Sequence, residues 1–402
     1  MLNVISLFSG VGGLDFGFEM AGFRTAVSVE IDRAACSTLK LNRDWPVMQG
    51  DINSISSRSI LRRAELTAGN VDVLIGGPPC QPFSKAGYWN RGDALRLDDP
   101  RASTLSAYLR VLRDVRPRAF LLENVGGLAF RGKDEGLRLI LDGVEQINRE
   151  TGTSYQVTWA KLNAADYGVP QFRERVFVVA SRDGREFKMP ATTHGEGPSS
   201  DDLEPYRTAW DAIGDLEVFP DDPSLAMGGK WADLLPSIPE GRNYLWHSSA
   251  GGGKHLFGRR TRYWSFLLKL AKDRPSWTIQ ASPGSAIGPF HWNNRKLSAI
   301  ELCRLQTLPD GILFDCGRTD VQRMLGNAVP SLLAEVLACE IKRQLLDVCG
   351  RRRKLRLLPP RRDPTPPAAR VSRVPAKFLH LVGHHEDHPG EGRGRGARSR
   401  AA

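Results

Sequence analysis

The feature that most constrains the fold is the alternation of short apolar runs with longer amphipathic stretches through the first 182 residues. Short runs rich in Val, Ile, Leu and Phe predict six buried strands, at residues 4–8, 25–29, 71–75, 119–122, 156–159 and 176–180. Helical spacing of apolar residues predicts helices at residues 34–41, 104–115, 135–149, 299–306, 321–325 and 332–346. Because strands that alternate with helices form βαβ units, the sequence predicts an α/β fold with a mostly parallel sheet.

Length and composition limit the classes of protein. The chain has 402 residues, and since a single hydrophobic core usually stops growing at ~250–300 residues, we expect a large domain and at least one smaller unit. A hydrophobic content of 41% and a charged content of 25% are typical of soluble globular proteins. The sequence has neither a run of about 18 apolar residues nor a signal peptide, and its six cysteines form no Cys-x-x-Cys pair. We therefore expect a cytoplasmic protein with no membrane partner and no thiolate zinc site.

The charge is distributed unevenly along the chain. Of the net charge of +11, residues 351–402 contribute most, with 14 Lys and Arg against 4 Asp and Glu, and the Pro and Gly content of this segment predicts disorder. Residues 241–290 hold eight basic residues and one acidic residue, interleaved with aromatic side chains. This second pattern favours a polyanionic partner, and an ordinary solvated surface is the alternative.

The basic tail also carries four histidines at a spacing that could bind a metal: His380, His384, His385 and His388. A disordered segment seldom holds such a site, so we expect no metal requirement.

The first predicted strand runs into a glycine-rich turn, residues 8–13, with the sequence Phe-Ser-Gly-Val-Gly-Gly. Glu30 stands 20 residues after Gly10, at the end of the next strand. Glycines at such a turn let the backbone approach a ligand, and an acid at this distance can bind ribose hydroxyls. The pattern indicates a nucleotide-like cofactor and leaves a dinucleotide and S-adenosylmethionine both open; a turn without a ligand is the alternative.

Reactive side chains follow three further predicted strands. Cys80 stands in a loop with prolines on both sides, where a helix is excluded, and is a candidate nucleophile. Glu123 ends an apolar run, so we expect burial to raise its pKa and let it donate a proton at neutral pH; a helix-capping acid is the alternative. Arg173 and Arg175 alternate onto one face, where two guanidiniums can hold a phosphate or a carbonyl; a surface salt-bridge ladder is the alternative.

These motifs occur together, in an order that matches a known family. Phe-Ser-Gly-x-Gly-Gly at 8–13, Pro-Pro-Cys-Gln at 78–81, Glu-Asn-Val at 123–125, Gln-x-Arg-x-Arg at 171–175 and Gly-Asn-Ala-Val-Pro at 326–330 resemble the blocks of cytosine-C5 DNA methyltransferases of the bacterial restriction–modification type. The resemblance covers about residues 3–348. It implies a Rossmann-like, S-adenosylmethionine-dependent methyltransferase domain with a smaller target-recognition domain.

The resemblance also implies a division of the chain and a set of binding residues. Residues 1–182 would form the catalytic, cofactor-binding domain, and residues 183–290 a linker and the target-recognition region, whose basic part is 241–290. Residues 291–350 would return to the catalytic domain, and residues 351–402 would be the disordered basic tail. S-adenosylmethionine would be held by twelve residues: Phe8, Gly10, Val11, Gly13, Glu30, Ile31, Asp51, Ile52, Pro79, Leu105, Asn327 and Val329. DNA contacts are expected at five: Lys254, Arg259, Arg260, Arg262 and Thr278.

The implied reaction proceeds on a flipped-out base, because C6 of cytosine cannot be reached inside the duplex. Cys80 would add to C6 while Glu123 hydrogen-bonds or protonates N3. Arg175 would contact the ring, and Arg173 would support the Cys80 loop or a phosphate. The expected partners are double-stranded DNA and, functionally, a cognate restriction endonuclease, with the enzyme itself a monomer.

Three rival functions are weaker. A tRNA cytosine-C5 methyltransferase has the same fold, but those homologues carry a Cys-Phe-Thr element that is absent here. A protein that binds DNA without catalysis would not need Cys80, Glu123 and Arg175 together. A nicotinamide-dependent dehydrogenase explains the glycine-rich turn but not the Pro-Cys-Gln motif at 79–81.

Overall fold

The computed structural model describes residues 1–79, 103–126, 135–197, 203–216, 222–259, 263–348 and 354–387. Within these residues the central sheet has seven strands: β1 (Leu2–Leu7), β2 (Phe23–Glu30), β3 (Val47–Gln49), β4 (Val73–Gly76), β5 (Ala119–Val125), β6 (Thr158–Asn163) and β7 (Glu174–Ser181). The helices of the same residues are α1 (Gly13–Met20), α2 (Arg33–Asn42), α3 (Ser57–Ala64), α4 (Ser103–Val115), α5 (Glu135–Thr151), α6 (Ala209–Ile213), α7 (Ala299–Leu305), α8 (Arg318–Asn327) and α9 (Ser331–Leu345). A separate pair of short strands comprises β8 (His194–Gly195) and β9 (Glu204–Pro205).

The strand order is β3-β2-β1-β4-β5-β7-β6, and β7 runs antiparallel to both of its neighbours. The β1–β2, β1–β4, β2–β3 and β4–β5 pairs are parallel, which confirms the predicted α/β fold with a mostly parallel sheet. Every predicted strand and helix is present, with its ends shifted by a few residues. Sequence periodicity missed β3, β8, β9 and α6, which have two to five residues each, and α3, which buries only Ser57, Ile60 and Ala64.

Helix α1 packs against the start of helix α9 at unusually short range. A Cβ placed on Gly17 would lie 2.4 Å from the Cβ of Ala334, and one placed on Gly13 would lie 2.3 Å from the carbonyl oxygen of Val329. Glycine alone permits such an approach. The turn at residues 326–330 is therefore held directly against the glycine-rich loop.

Residues 222–259 and 263–290 form a smaller unit with a hydrophobic cluster of its own. Short 3₁₀ helices such as Ala232–Ser237 and Tyr244–His247 replace regular strands there. The buried members of the cluster are Leu234, Leu235, Ile238, Tyr244, Leu256, Leu267, Phe290 and Phe378. Most of this cluster falls within residues 183–290, the segment expected to recognise the target, and the predicted domain division stays a prediction.

Residues 354–387 differ from the disordered tail that the composition predicts. Phe378 is 3% exposed, and its ring stacks on Trp231 with centroids 5.7 Å apart. The backbone amides of Arg356 and Leu357 donate to the buried carboxylate of Glu335 at 2.8 and 3.0 Å. Composition fails here because the segment is ordered by hydrogen bonds to the body of the protein and not by a core of its own. Residues 351–353 and 388–402 lie outside the described residues.

One helical stretch of the described residues, Arg318–Leu345, is long and apolar enough by composition to cross a membrane. Of its most apolar window, 72% is buried. The stretch consists of α8 and α9, and α9 contributes Leu332, Leu333, Leu337 and Ile341 to the core beside the sheet. It is packed as a core element.

Candidate active site

A cavity of about 390 Å³ opens at the carboxyl ends of the parallel strands. Phe8 follows β1, Glu30 ends β2, Gly77 follows β4 and Glu123 lies in β5, so four neighbouring strands each supply part of the wall. The opposite wall comes from residues 323–329, the end of α8 and the start of the turn that leads to α9. Small-molecule sites range roughly from 300 to 1,000 Å³, so the volume is that of a ligand site.

The conformation of the glycine-rich loop is fixed by its backbone angles and by hydrogen bonds to Glu30. Phe8 and Gly10 both have φ near +54°, a left-handed conformation that is uncommon for a bulky residue such as Phe8. The Gly10 amide donates to Glu30 Oε2 at 2.7 Å, and the amides of Ile31 and Asp32 donate to Oε1 at 2.8 Å. A Cβ built on Gly10 meets no atom within 4 Å. The open space above Gly10 therefore lies beside the Glu30 carboxylate. This carboxylate is held in place and can still accept further hydrogen bonds.

Antiparallel pairing of β5 with β7 brings Arg175 beside Glu123. The Nε atom of Arg175 lies 2.9 Å from Glu123 Oε1, with the two side chains 14% and 10% exposed. Burial raises the pKa of Glu123, against the opposing charges of Arg175 and Arg173. The direction agrees with the expectation from the apolar run before it. A raised pKa favours the protonated carboxyl, which is the form that can donate a hydrogen bond to a ring nitrogen.

Cys80 lies outside the described residues, but the loop that leads to it is held against the cavity. Pro79, to which Cys80 is bonded, lines the cavity. The Pro79 carbonyl accepts a hydrogen bond from Thr104 Oγ1 at 3.1 Å, and the Pro78 carbonyl accepts one from Asn124 Nδ2 at 3.1 Å. Strand β5 and helix α4 therefore fix the approach of this loop to the site.

Arg173 is buried, and its charge acts on Glu123 together with that of Arg175. It precedes β7 and is 1% exposed. Its Nη1 donates to the carbonyl of Ile279 at 3.3 Å, and its Nη2 to the carbonyl of Gly326 at 2.7 Å. These partners are backbone carbonyls of the protein itself, and Arg173 does not line the cavity. Arg173 therefore joins the segment around Ile279 to the last turn of α8.

The cavity brings together seven of the twelve residues expected to hold the cofactor: Phe8, Gly10, Gly13, Glu30, Pro79, Asn327 and Val329. The other five do not line it: Val11, Ile31, Asp51, Ile52 and Leu105. Val11, Ile52 and Leu105 are buried in hydrophobic clusters, whereas Ile31 is 64% exposed. Asp51 is exposed and accepts hydrogen bonds from Asn53.

The residues expected to contact DNA lie in the smaller unit or beside it. Lys254 and Arg259 are exposed, and Arg260 and Arg262 fall outside the described residues. Thr278 is exposed, with its hydroxyl donating to the carbonyl of Phe172 at 2.7 Å. Among the described residues no group of three or more His, Cys, Asp or Glu side chains could hold a metal ion, and His388 is not among them.

Sequence reasoning missed an ion pair at the rim of the cavity. Arg323 Nη2 in α8 lies 3.0 Å from the carboxylate of Asp32, which also caps helix α2. Both residues line the cavity. Asp32 was open to prediction, because an acid two residues after a strand and just before a helix is a typical N-cap; its partner is 291 residues away and gives no local signal.

Comparison with known proteins accounts for nearly the whole chain. The sequence profile of the C-5 cytosine-specific DNA methylase family matches residues 2–343. The chain is 38% identical over 372 residues to the type II methyltransferase M.SacI of Streptomyces achromogenes, covering 86% of this chain and 93% of that protein. It is 33% identical over 344 residues to the type II methyltransferase M1.HphI of Haemophilus parahaemolyticus, covering 84% and 86%.

A solved structure shares the fold. A prophage-encoded protein of E. coli described as a DNA modification methyltransferase superposes with a TM-score of 0.60 at 24% identity, covering 86% of this chain and 100% of that chain. The sheet is therefore that of a Rossmann-like C5 methyltransferase. The chain belongs to the C-5 cytosine-specific DNA methylase family and is a DNA cytosine-5-methyltransferase of the type II restriction–modification kind.

Proposed function

We propose that this enzyme methylates one cytosine within a specific double-stranded DNA sequence, with S-adenosylmethionine as methyl donor and Cys80 as covalent nucleophile. One observation carries the proposal: a single cavity in which the glycine-rich loop faces the Glu123–Arg175 pair. Pro79 lines the same cavity, so the loop that bears Cys80 starts there. These observations support a site in which a cofactor loop, an acid and a nucleophile act on the same space.

The cavity suits S-adenosylmethionine in size and in the groups it offers. Glu30 can accept from ribose hydroxyls, and the space above Gly10 allows a ligand to approach the backbone. Asn327 and Val329 close the opposite side. When bound, the cofactor would supply an electrophilic methyl group.

The residues of the chain act on the base. The Cys80 thiolate adds to C6, forming a carbon–sulfur bond, and the electron pair of the C5–C6 double bond makes C5 nucleophilic. Glu123 donates a hydrogen bond or proton to N3, and this stabilises the charge that develops on the ring. Arg175 keeps the Glu123 carboxyl oriented toward the cavity. After methyl transfer, loss of the C5 proton breaks the bond to Cys80 and restores the aromatic ring.

Methyl transfer to defined nucleic acids tests the substrate. Tritiated S-adenosylmethionine is incubated with duplex DNA and, separately, with tRNA, and the methylated duplex is sequenced after bisulfite treatment. We expect label in duplex DNA alone, at one cytosine of one recurrent sequence. Label in tRNA and none in duplex DNA would overturn the proposal in favour of an RNA methyltransferase.

The biological setting follows from the same proposal. Methylation at a defined sequence would protect host DNA from a cognate restriction endonuclease, in the cytoplasm where bacterial DNA lies. Duplex from cells that express the enzyme should then resist an endonuclease cutting at the methylated sequence, and resistance should require Cys80. We further propose that the enzyme acts as a monomer, which sedimentation velocity with and without duplex checks.

A further inference from the structure

Residues 354–387, called the strap here, begin on the catalytic domain. Glu335 lies on α9 and is 2% exposed, and its carboxylate accepts the backbone amides of Arg356 and Leu357. Burial raises the pKa of Glu335, and these two amides oppose the shift. The start of the strap is thus tied by its backbone to the helix that packs on α1.

The next contacts carry the strap across to the smaller unit. Asp211 on α6 accepts the Arg362 amide at 2.9 Å and Arg361 Nη1 at 3.1 Å. Further on, the Ala369 amide donates to Glu240 Oε1 at 3.0 Å. Backbone amides of the strap therefore bind carboxylates of the body at three successive points.

The strap then packs onto the core of the smaller unit and reaches a second loop, at residues 249–259 of that unit. Phe378 fills the space beside Trp231, with the two ring planes 14° apart. The Gly383 amide donates to the carbonyl of His255 at 3.2 Å. From this point the strap lies against residues 249–259, called the recognition loop here.

Asp387 bridges the two ends of the recognition loop. Its Oδ1 accepts the backbone amide of Arg259 at 2.6 Å, and its Oδ2 accepts the hydroxyl of Ser249 at 3.1 Å. A Cβ on Gly258 would lie 2.2 Å from the carbonyl oxygen of Glu386, so the two backbones are in direct contact. The strap therefore connects the first and last residues of the recognition loop through Asp387.

The recognition loop is rich in glycine, and the contacts with Asp387 add to those it makes with residues 246–248. Four of its eleven residues are glycine: Gly251, Gly252, Gly253 and Gly258. Glycine-rich segments lose the most conformational entropy when they are ordered. Lys254 and Arg259 in the loop are exposed and can read base edges or phosphates only from a defined backbone.

We propose that the strap is part of the DNA-recognition machinery and that Asp387 is a positioning residue that sets the conformation of the recognition loop on the target sequence. The proposal rests on the function proposed above, since it assumes that this loop meets DNA. A carboxylate beside a basic loop weakens attraction to phosphates. A role in general affinity therefore predicts that removal of Asp387 strengthens DNA binding, whereas a positioning role predicts that it weakens recognition.

A matched pair of variants separates these two roles. Asp387→Ala removes one negative charge together with both loop contacts. Glu386→Ala removes the same charge one residue away, and the Glu386 side chain makes no hydrogen bond or ion pair within the described residues. Asp387→Asn keeps one oxygen acceptor and should rescue part of the effect. Both sites are exposed, so the thermal midpoint of each variant should stay that of wild type.

The measurement is steady-state methylation of a duplex carrying the target sequence and of one with a single changed base pair. For Asp387→Ala we expect KM for the target duplex to rise about tenfold, from the loss of two hydrogen bonds of modest strength, with kcat unchanged. Discrimination against the changed duplex should fall by a similar factor. Asp387→Asn should lie between this variant and wild type, and Glu386→Ala should show an unchanged or slightly lower KM.

Two results would overturn the inference. One is an Asp387→Ala enzyme whose KM and discrimination match those of Glu386→Ala; the other is a loss confined to kcat. Both leave the proposed function intact, because wild type still methylates the duplex. If wild type itself fails to methylate any duplex, the proposed function fails first.

Discussion

Asp15 gives a prediction whose size follows from the structure. It lies in α1 beneath the glycine-rich loop and is 0% exposed. Its carboxyl oxygens accept the hydroxyls of Ser6 at 3.0 Å and Ser28 at 3.2 Å. Burial is the main cause that raises the pKa of Asp15 from 3.8 to about 7, and the charge of Glu30 adds to the shift.

The shift makes stability depend on pH. Below pH 3.8 Asp15 is protonated in both the folded and the unfolded state, and its contribution to stability is fully present. Between 3.8 and about 7 only the unfolded state ionises, so the free energy of unfolding falls as pH rises. A shift of about three units corresponds to a total loss on the order of 4 kcal/mol. Above about pH 7 the folded state ionises as well, and the slope vanishes.

Asp15→Asn removes the titration while keeping an oxygen acceptor and the size of the side chain. Urea unfolding of wild type and variant at pH 5 to 8 measures the difference in the free energy of unfolding. From pH 5 to pH 7 wild type should lose about 2 kcal/mol relative to the variant, because the slope already flattens near pH 7. Asp142→Asn, an exposed site on α5, is the control. Parallel pH profiles for wild type and Asp15→Asn would refute the reasoning.

Three further predictions concern the site and the tail. Glu123→Gln should bind duplex and cofactor but have a kcat at least a hundredfold lower, since an amide cannot donate the carboxyl proton. Stopped-flow measurement of methyl transfer tests this, with Glu174→Gln at an exposed site as control. An equal kcat in both variants would contradict the prediction. Gly13→Ala should weaken S-adenosylmethionine binding about tenfold or more in calorimetry, because the new Cβ would lie 2.3 Å from the Val329 carbonyl and displace it. Gly317→Ala is the control and should bind normally, because a Cβ on Gly317 meets nothing within 4 Å. Deletion of residues 388–402 should flatten the salt dependence of duplex binding without changing the methylated sequence, because it removes four arginines but leaves the strap; a changed sequence would contradict this.

Much of the site was predictable because its residues end strands. Glu30 and Glu123 each follow an apolar run, and parallel strands bring such ends to one edge. Arg173 was harder to place, because its guanidinium pairs with the carbonyls of Ile279 and Gly326, which lie 106 and 153 residues away in the sequence. Nothing local in the sequence signals that pairing.

The strap was missed for a related reason. Its composition is that of a disordered tail, and the carboxylates that order it, Glu335, Asp211 and Glu240, lie between 21 and 151 residues away in the sequence. Composition measures whether a segment can form a core of its own. It does not measure whether a folded surface offers acceptors for the backbone amides of that segment.

The covalent step is the central claim, and trapping tests it most directly. A duplex with 5-fluorocytosine at the target position is incubated with enzyme and S-adenosylmethionine and then run on a denaturing gel. Fluorine cannot leave C5 as a cation, so elimination is blocked after methyl transfer and the adduct persists. Wild type should give a stable protein–DNA adduct and Cys80→Ala none, although that variant should still bind duplex. A full yield of adduct from Cys80→Ala would contradict the account and assign the nucleophile to another residue.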